Sequence, residues 1–562
     1  MPLSIIALVY ALAGCCAGWG ILLVAGRGLL PDGQIRHLMV GWFGLTFLLF
    51  LLPSGALFLL LAATLVLGLR AAGADPMVLW LFLIGAVPTG GLALYDLPFG
   101  INYLFTFTFA ILLSLVIAIP MLFAADRRTP GRGAGVIDVL FGMGALMMMV
   151  LTVREVPNLT SWLRAVFVLT VSMVLPYLAA SRRMPSVASI EQAVRALVSS
   201  HVPMAMIGLL AAVVGWAIYD YPEARLFQPR AIGYISRAGL MRSGGPLGGA
   251  PIVFGTLMMM GAAMALGLRG RFDKTWQFAA VLGACCVGLV ASVSRGPMVG
   301  LALALVAYQI SQPKPGRSLA RLAVIAPVVL LPFVLFTSTG RTLYTLLPFI
   351  GSDSEGTVDY RQQLLENGLI VVGRNPVFGS ATFLETPEMQ TLIQGQGIID
   401  LVNTYLHWTL QYGLITAAPI SAALLLAGAK TFRLCRRLDP QDEAALRWRR
   451  LGGGLFAAQV GLVVTLATVS LDLLLSFMTW LFLGLQVAYL RTVNAWLAER
   501  AAAPALAPTT DMAPDPAPEP VLVPGLDEPT PRPAPRPAAS FGPQTSLEEL
   551  GLEGFKPIGG AG

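Results

Sequence analysis

The chain has 562 residues and a formal net charge of +7, yet only 12% of its residues are charged and 56% are hydrophobic. A soluble domain carries about a quarter charged residues, so an ordinary soluble protein is excluded and a polytopic helical membrane protein is implied. A membrane β-barrel is excluded as well, because uncharged windows such as Val202–Tyr219, Gly249–Leu268 and Leu451–Leu471 outrun the short alternating segments of barrel strands.

In chain order the apolar runs predict membrane helices over 3–25, 38–52, 54–69, 77–95, 102–124, 136–153, 162–180 and 202–219, then 249–268, 276–294, 297–311, 321–338, 401–427, 451–471 and 474–491. The first of these, without a basic leader, reads as a helix and not as a cleaved signal. Pro53 leaves 38–69 either a tight hairpin or one broken helix, so the expected fold class is all-α with about 12–15 transmembrane helices. Residues 1–200 form N-terminal transmembrane helices and 201–500 a catalytic transmembrane region. Residues 501–562, rich in Pro and Ala, form a disordered tail. Basic connectors, richest over Lys430–Arg450, fall on one face under simple alternation; the positive-inside rule makes that face, and the tail, cytoplasmic.

The opposite face then carries two long connectors, 220–248 and 337–400, the second expected to fold as short helices on the membrane surface. Both break the charge rule, with Arg225, Arg230, Arg237 and Arg242 in one and Arg341, Arg361 and Arg374 in the other. In "SVSRGPMVG", Arg295 follows Ser294 at the end of an apolar run, where Gly296 and Pro297 are expected to break the helix. Charge at such a position is costly and faces a cavity, a ligand or the interface. In "MRSGGPLGGAP", Arg242 precedes a glycine-rich turn and a helix start, which suggests an anion site of backbone amides plus guanidinium. Arginine grips phosphate bidentately at any working pH, so several arginines around one cavity point to a phosphate or pyrophosphate ligand. Asp400 opens the helix "DLVNTYLHWTLQYGL", where an acid also serves as an ordinary cap. No His/Cys cluster, P-loop or paired acidic motif is present, so neither metal nor cofactor is expected.

Three segments together, "SVSRGPMVGLALALV", "DYRQQLLENGLIVVGRNPVFGSATF" and "LVNTYLHWTLQYGLI", resemble the O-antigen ligase and polymerase superfamily of bacterial inner-membrane glycan-assembly enzymes. The resemblance spans about residues 230–430. It implies a GT-C-type glycosyltransferase at the periplasmic face of the inner membrane, with an undecaprenyl-pyrophosphate-linked glycan as donor. It implies that Arg295 and Arg361 hold the pyrophosphate, with Arg242 as a third cation. A histidine is implied as base just before the Asn-X-Tyr-Leu element, but Val402 stands there. Asp400 is then the nearer base, with Asn403 positioning; His407, five residues beyond Val402, turns well away on a helix and substitutes only if the helix begins late. Tyr360 and Tyr405 are expected to pack on sugar rings or to anchor at the interface.

The missing histidine favours a polysaccharide polymerase, of O-antigen or exopolysaccharide, over a ligase acting on lipid A-core. The rival class is a lipid-linked oligosaccharide flippase. The expected partners are the lipid-linked glycan and the bilayer, with no nucleic acid. The tail reads either as solvated chain or as a recruiting segment for chain-length-regulator or export proteins, its "TSLEELGLEGF" carrying a capping box at Ser546 and Glu549.

Overall fold

The computed structural model describes residues 3–31, 33–97, 101–124, 129, 134–227, 236–237, 240–345, 355–394 and 397–502. The chain divides into two units, Met1–Ala502 and Ala503–Gly562; the second, including the proline-rich tail and its capping box, lies outside the described residues. The first unit is all-α apart from two short hairpins, and six of its helices are long and apolar enough to cross a membrane among the described residues. They are Leu3–Val24, Gly135–Glu155, Leu159–Arg182, Val187–Val214, Leu414–Arg437 and Leu473–Ala502, with shorter apolar helices between them. The protein is a multi-pass membrane protein.

Several predicted spans change form. The 38–69 region is a hairpin of two helices, Ile35–Leu51 and Gly55–Ala71, because Pro53 cannot continue a helix. The spans over 77–95 and 102–124 are corrected. A helix Pro76–Leu83 is followed by antiparallel strands Gly91–Leu97 and Ile101–Thr108, and only then by the helical stretch Phe109–Phe123. The strand run "INYLFTFT" is apolar enough to pass as a span, but its alternating aromatic and threonine residues suit a pleated surface better. Two helices carry π-turns, Ser114–Ala118 and Thr170–Val174, each just before a proline, Pro120 and Pro176. Proline removes a backbone donor, and the widened turn accommodates that loss. The span over 401–427 is broken at Gly413 (φ +72°) into Thr404–Tyr412 and Leu414–Arg437.

The long connector is also more ordered than short surface helices would be. Its main element is a twenty-residue helix, Glu355–Arg374. With Phe383–Glu385, Pro387–Gln390 and the Thr404–Tyr412 helix it encloses a small core of Leu364, Val371, Phe383, Met389, Leu392, Leu406 and Leu410. Val402, where the family pattern carries histidine, packs against that core.

One helix contact sets the site. Gly296 and Pro297 do not break the chain: the helix Arg295–Ser311 begins at Arg295 and includes both. Proline is tolerated there because first-turn amides have no helical acceptor. Gly296 and Gly300 then meet the Glu443–Leu466 helix and the segment after it. A Cβ on Gly296 would lie 2.2 Å from the Thr468 hydroxyl, and one on Gly300 would lie 2.9 Å from the Gly461 carbonyl. Gly283, on the preceding helix Thr275–Ala291, faces open space. Gly300→Val should therefore cost about 1–3 kcal/mol through overpacking. Thermal unfolding in detergent should show a lowered midpoint for Gly300→Val and an unchanged one for Gly283→Val.

Candidate active site

The Thr275–Ala291 and Arg295–Ser311 helices are joined by only three residues, Ser292, Val293 and Ser294. So tight a reversal forces Val293 to φ +46°, a region that β-branched residues avoid at a cost of about 1–3 kcal/mol. Packing holds it there. Val293 is buried against Leu240, Val290 and Met298, and the Ser243 amide donates to the Ala291 carbonyl at 2.9 Å. Gly255 lets the Pro251–Gly267 helix lie against the turn, since a Cβ would meet the Ser292 hydroxyl at 2.5 Å.

Arg295 is thus the first residue of a seventeen-residue helix, half-buried, with its backbone fixed. A cation at a helix N-terminus opposes the helix dipole, and an anion there is favoured by dipole and guanidinium together. Arg242 follows the hairpin Ser236–Arg237/Leu240–Met241; it is 8% exposed, and its Nη2 donates to Ser294 Oγ at 3.4 Å. Ser294 Oγ lies 3.1 Å from the Ser292 carbonyl and 3.3 Å from that of Pro251, which ties the turn to two helices. Arg237 sits in the hairpin opposite Leu240.

The second side of the site comes from the long connector. Tyr360 and Arg361 are neighbours on the Glu355–Arg374 helix. The Tyr360 hydroxyl accepts from the Asp400 amide at 2.9 Å and donates to the Asp400 carbonyl at 3.1 Å. This double bond to one residue sets Asp400 beside Arg361. Burial lowers the Arg361 pKa, the like charge of Arg295 lowers it further, and Asp400 raises it. Arg361 is nevertheless exposed as a whole residue, so its charge is largely solvated. Burial raises the Asp400 pKa; a hydrogen bond from Ser470 and the charge of Arg361 work against it. Ser470 Oγ lies 3.5 Å from Asp400 Oδ1 and donates to the Leu401 carbonyl at 2.8 Å.

The arrangement therefore brings Arg361 within electrostatic reach of both Arg295 and Asp400, while Arg242 is bonded to Ser294, the neighbour of Arg295 in the chain. The remaining expected residues lie differently. Asn403 caps the Thr404–Tyr412 helix, its side chain accepting from the Tyr405 and Leu406 amides at 3.1 Å. The Tyr405 hydroxyl donates to the Val463 carbonyl at 3.0 Å, and its ring meets Trp408 edge-on. His407 lies a turn beyond the cap, its ring 6.2 Å from that of Phe383.

Two of the remaining arginines in these connectors are structural, while Arg341 is exposed. Arg225 donates to the Leu49 and Phe50 carbonyls at the end of the Ile35–Leu51 helix, and Arg374 chelates Glu388. Arg230 lies outside the described residues. The expected anion site in the glycine-rich turn is corrected as well. The buried Glu223 carboxylate fills it, accepting from the Gly249 amide at 3.2 Å beside Gly248. Three contributors escape sequence reasoning: Ser470, Glu223 and Arg154. Arg154 donates to the Phe378, Gly379 and Gln411 carbonyls at 2.9, 3.3 and 3.1 Å. It thereby fastens the Asn375–Gly379 turn to the Gly413 break, where Gly379 (φ +66°) and Gly413 touch backbone to backbone.

The fold is that of a multi-pass membrane protein with Arg242, Arg295 and Arg361 at one end of its helices, opposite the arginine-rich connectors. Residues 278–421 match the family model described as O-antigen ligase, which supports the resemblance to the O-antigen ligase and polymerase superfamily and a function of that type. No curated protein matches the chain.

Arg154→Ala leaves three carbonyls without their donor and should loosen the connector. Limited chymotrypsin digestion should cut within 375–413 about tenfold faster than in the wild type, and Arg154→Lys should restore part of the protection.

Proposed function

We propose that the protein is a polysaccharide polymerase, of O-antigen or exopolysaccharide, working at the periplasmic face of the bacterial inner membrane, with its C-terminal tail in the cytoplasm. Its donor is a glycan on undecaprenyl pyrophosphate and its acceptor a sugar hydroxyl of a second lipid-linked glycan. What carries the reading is the pair Arg295 and Arg361: two like charges from separate elements near enough for Arg295 to lower the Arg361 pKa, an arrangement that a diphosphate would neutralise. The acceptor oxygen attacks the anomeric carbon as the bond from that carbon to the diphosphate oxygen breaks. The bonding pair leaves with the diphosphate, and its growing charge meets fixed guanidiniums that need no reorganisation. The acceptor proton passes to the Asp400 carboxylate. Arg242 and Ser294 back up Arg295, Tyr360 positions Asp400, and Asn403 sets the start of the following helix. Arg237, Tyr405 and His407 are assigned to the glycan-binding rim. Guanidiniums take the part that a divalent cation plays in many phosphate sites, so the proposal calls for no metal.

Val402, in place of the histidine implied for ligases, favours polymerase. The description of the matching family favours the second reading, transfer of the glycan to lipid A-core. The acceptor separates the two. Purified protein in liposomes with undecaprenyl-pyrophosphate repeat units and EDTA should lengthen the lipid-linked glycan. Product only on lipid A-core means a ligase, and movement across the bilayer without elongation means a flippase. Arg295→Ala and Arg361→Ala should each lower turnover by about 10²–10³-fold while the protein elutes as wild type. Wild-type turnover in either removes that residue from the mechanism.

Asp400 works as a base only when ionised, and its raised pKa moves protonation upward. The acid limb of the turnover profile should therefore lie above the ordinary aspartate value of 3.8. Asp400→Asn should lower turnover by about 10²–10⁴-fold and abolish that limb. An unchanged limb in the variant rejects Asp400 as the base.

A further inference from the structure

At the end of the helices opposite the proposed active site, a cavity of about 850 Å³ opens among the connectors. Arg269, Lys314, Arg321 and Arg450 line it, and no aspartate or glutamate does. The neighbouring arginines are already satisfied. Arg271 and Arg447 share the buried Glu191 carboxylate, Arg447 at 2.6 Å. Arg449 donates to the Ser311 carbonyl at 3.1 Å. None of the four lining cations has a carboxylate partner among the described residues; Arg269 rests over the Phe278 ring at 5.6 Å. Arg271, Arg447 and Arg449 have acceptors that hold helices together, and the four cations that face the cavity have no carboxylate partner among the described residues.

The rest of the lining is apolar. Leu266 and Phe278 form part of it, and Ile325 lies on the Pro315–Phe336 helix. Ile325 is 57% exposed and continues an outward apolar face with Val324 and Val328, which in a membrane protein meets acyl chains. A site with guanidiniums inside and an apolar face leading to the bilayer fits an amphipathic anion. We infer that this cavity binds the phosphate head group of an anionic glycerophospholipid, with its acyl chains along the Pro315–Phe336 helix. The bilayer supplies such a ligand at the level of the connectors. A free phosphate would use the cations but leave the apolar wall without a function.

Native mass spectrometry of the full chain in mild detergent tests this. It would be titrated with phosphatidylglycerol, and separately with phosphatidylcholine of the same acyl chains. Wild-type protein should bind the first phosphatidylglycerol about tenfold more tightly than the phosphatidylcholine. Arg269→Gln/Arg450→Gln should lose that preference, and Lys314→Gln/Arg321→Gln, on another wall, should weaken it. Arg433→Gln/Arg436→Gln, exposed at the same end but outside the cavity, should keep it. If one cavity variant fails to fold by helix content and elution, the other carries the test. Equal preference in wild type and both cavity variants overturns the inference. So does equal loss in the Arg433/Arg436 control. Inorganic phosphate that competes at millimolar level while wild type shows no preference for phosphatidylglycerol also overturns it, since the anion then comes from solution.

Discussion

The like-charge influence of Arg295 on Arg361, two arginines carried on separate elements, is the constraint on which the proposed site depends. Arg295 depresses the pKa of Arg361, and the positive end of a helix adds to the same field. Left to relax, the two side chains would move apart into water. They stay close because each is carried by backbone that cannot follow them. On one side is a three-residue turn with a strained valine, packed under a hairpin and against Gly255 of the Pro251–Gly267 helix. On the other is a twenty-residue helix with its own small core, pinned to Asp400 through a single tyrosine hydroxyl. The strain and the like-charge repulsion are the opposing terms.

The chemistry of carboxylates in this protein follows the same logic of partner and burial. Glu191 is buried and neutralised by two arginines, and Glu223 is buried and accepts from the Gly249 amide in the glycine-rich turn. Asp400 is the carboxylate placed beside the guanidinium pair and held mainly through its backbone, by Tyr360. That leaves its side chain less committed than the others. A carboxylate whose backbone is fixed and whose pKa is raised by burial suits proton transfer better than structure. At the far end of the helices, arginines divide in the same way between those with acceptors and those that face a cavity.

Much of the architecture was legible in the sequence, because hydropathy and length report membrane helices directly. Arg295 was visible as a charge where charge is expensive, and Arg361 stood out through the family resemblance; Asp400 was expected to open a helix, but that helix begins at Thr404 with Asn403 as its cap. What was not legible came from two causes. The strands over 91–108 are as apolar as a span, and only the alternation of aromatic and threonine residues separates them. The other cause is distance along the chain. Arg154 reaches carbonyls more than two hundred residues away, and Ser470 reaches Asp400 across seventy. No local pattern encodes such pairs. The glycine-rich turn after Arg242 shows the limit of motif reasoning in another way. The anion it was built to hold is the protein's own Glu223.

A density map of the protein with undecaprenyl diphosphate bound would test the central claim most directly. The diphosphate should lie between the Arg295 and Arg361 guanidiniums, each within hydrogen-bonding distance of a phosphate oxygen. A diphosphate resolved elsewhere, with those two arginines turned away from it, would contradict the account.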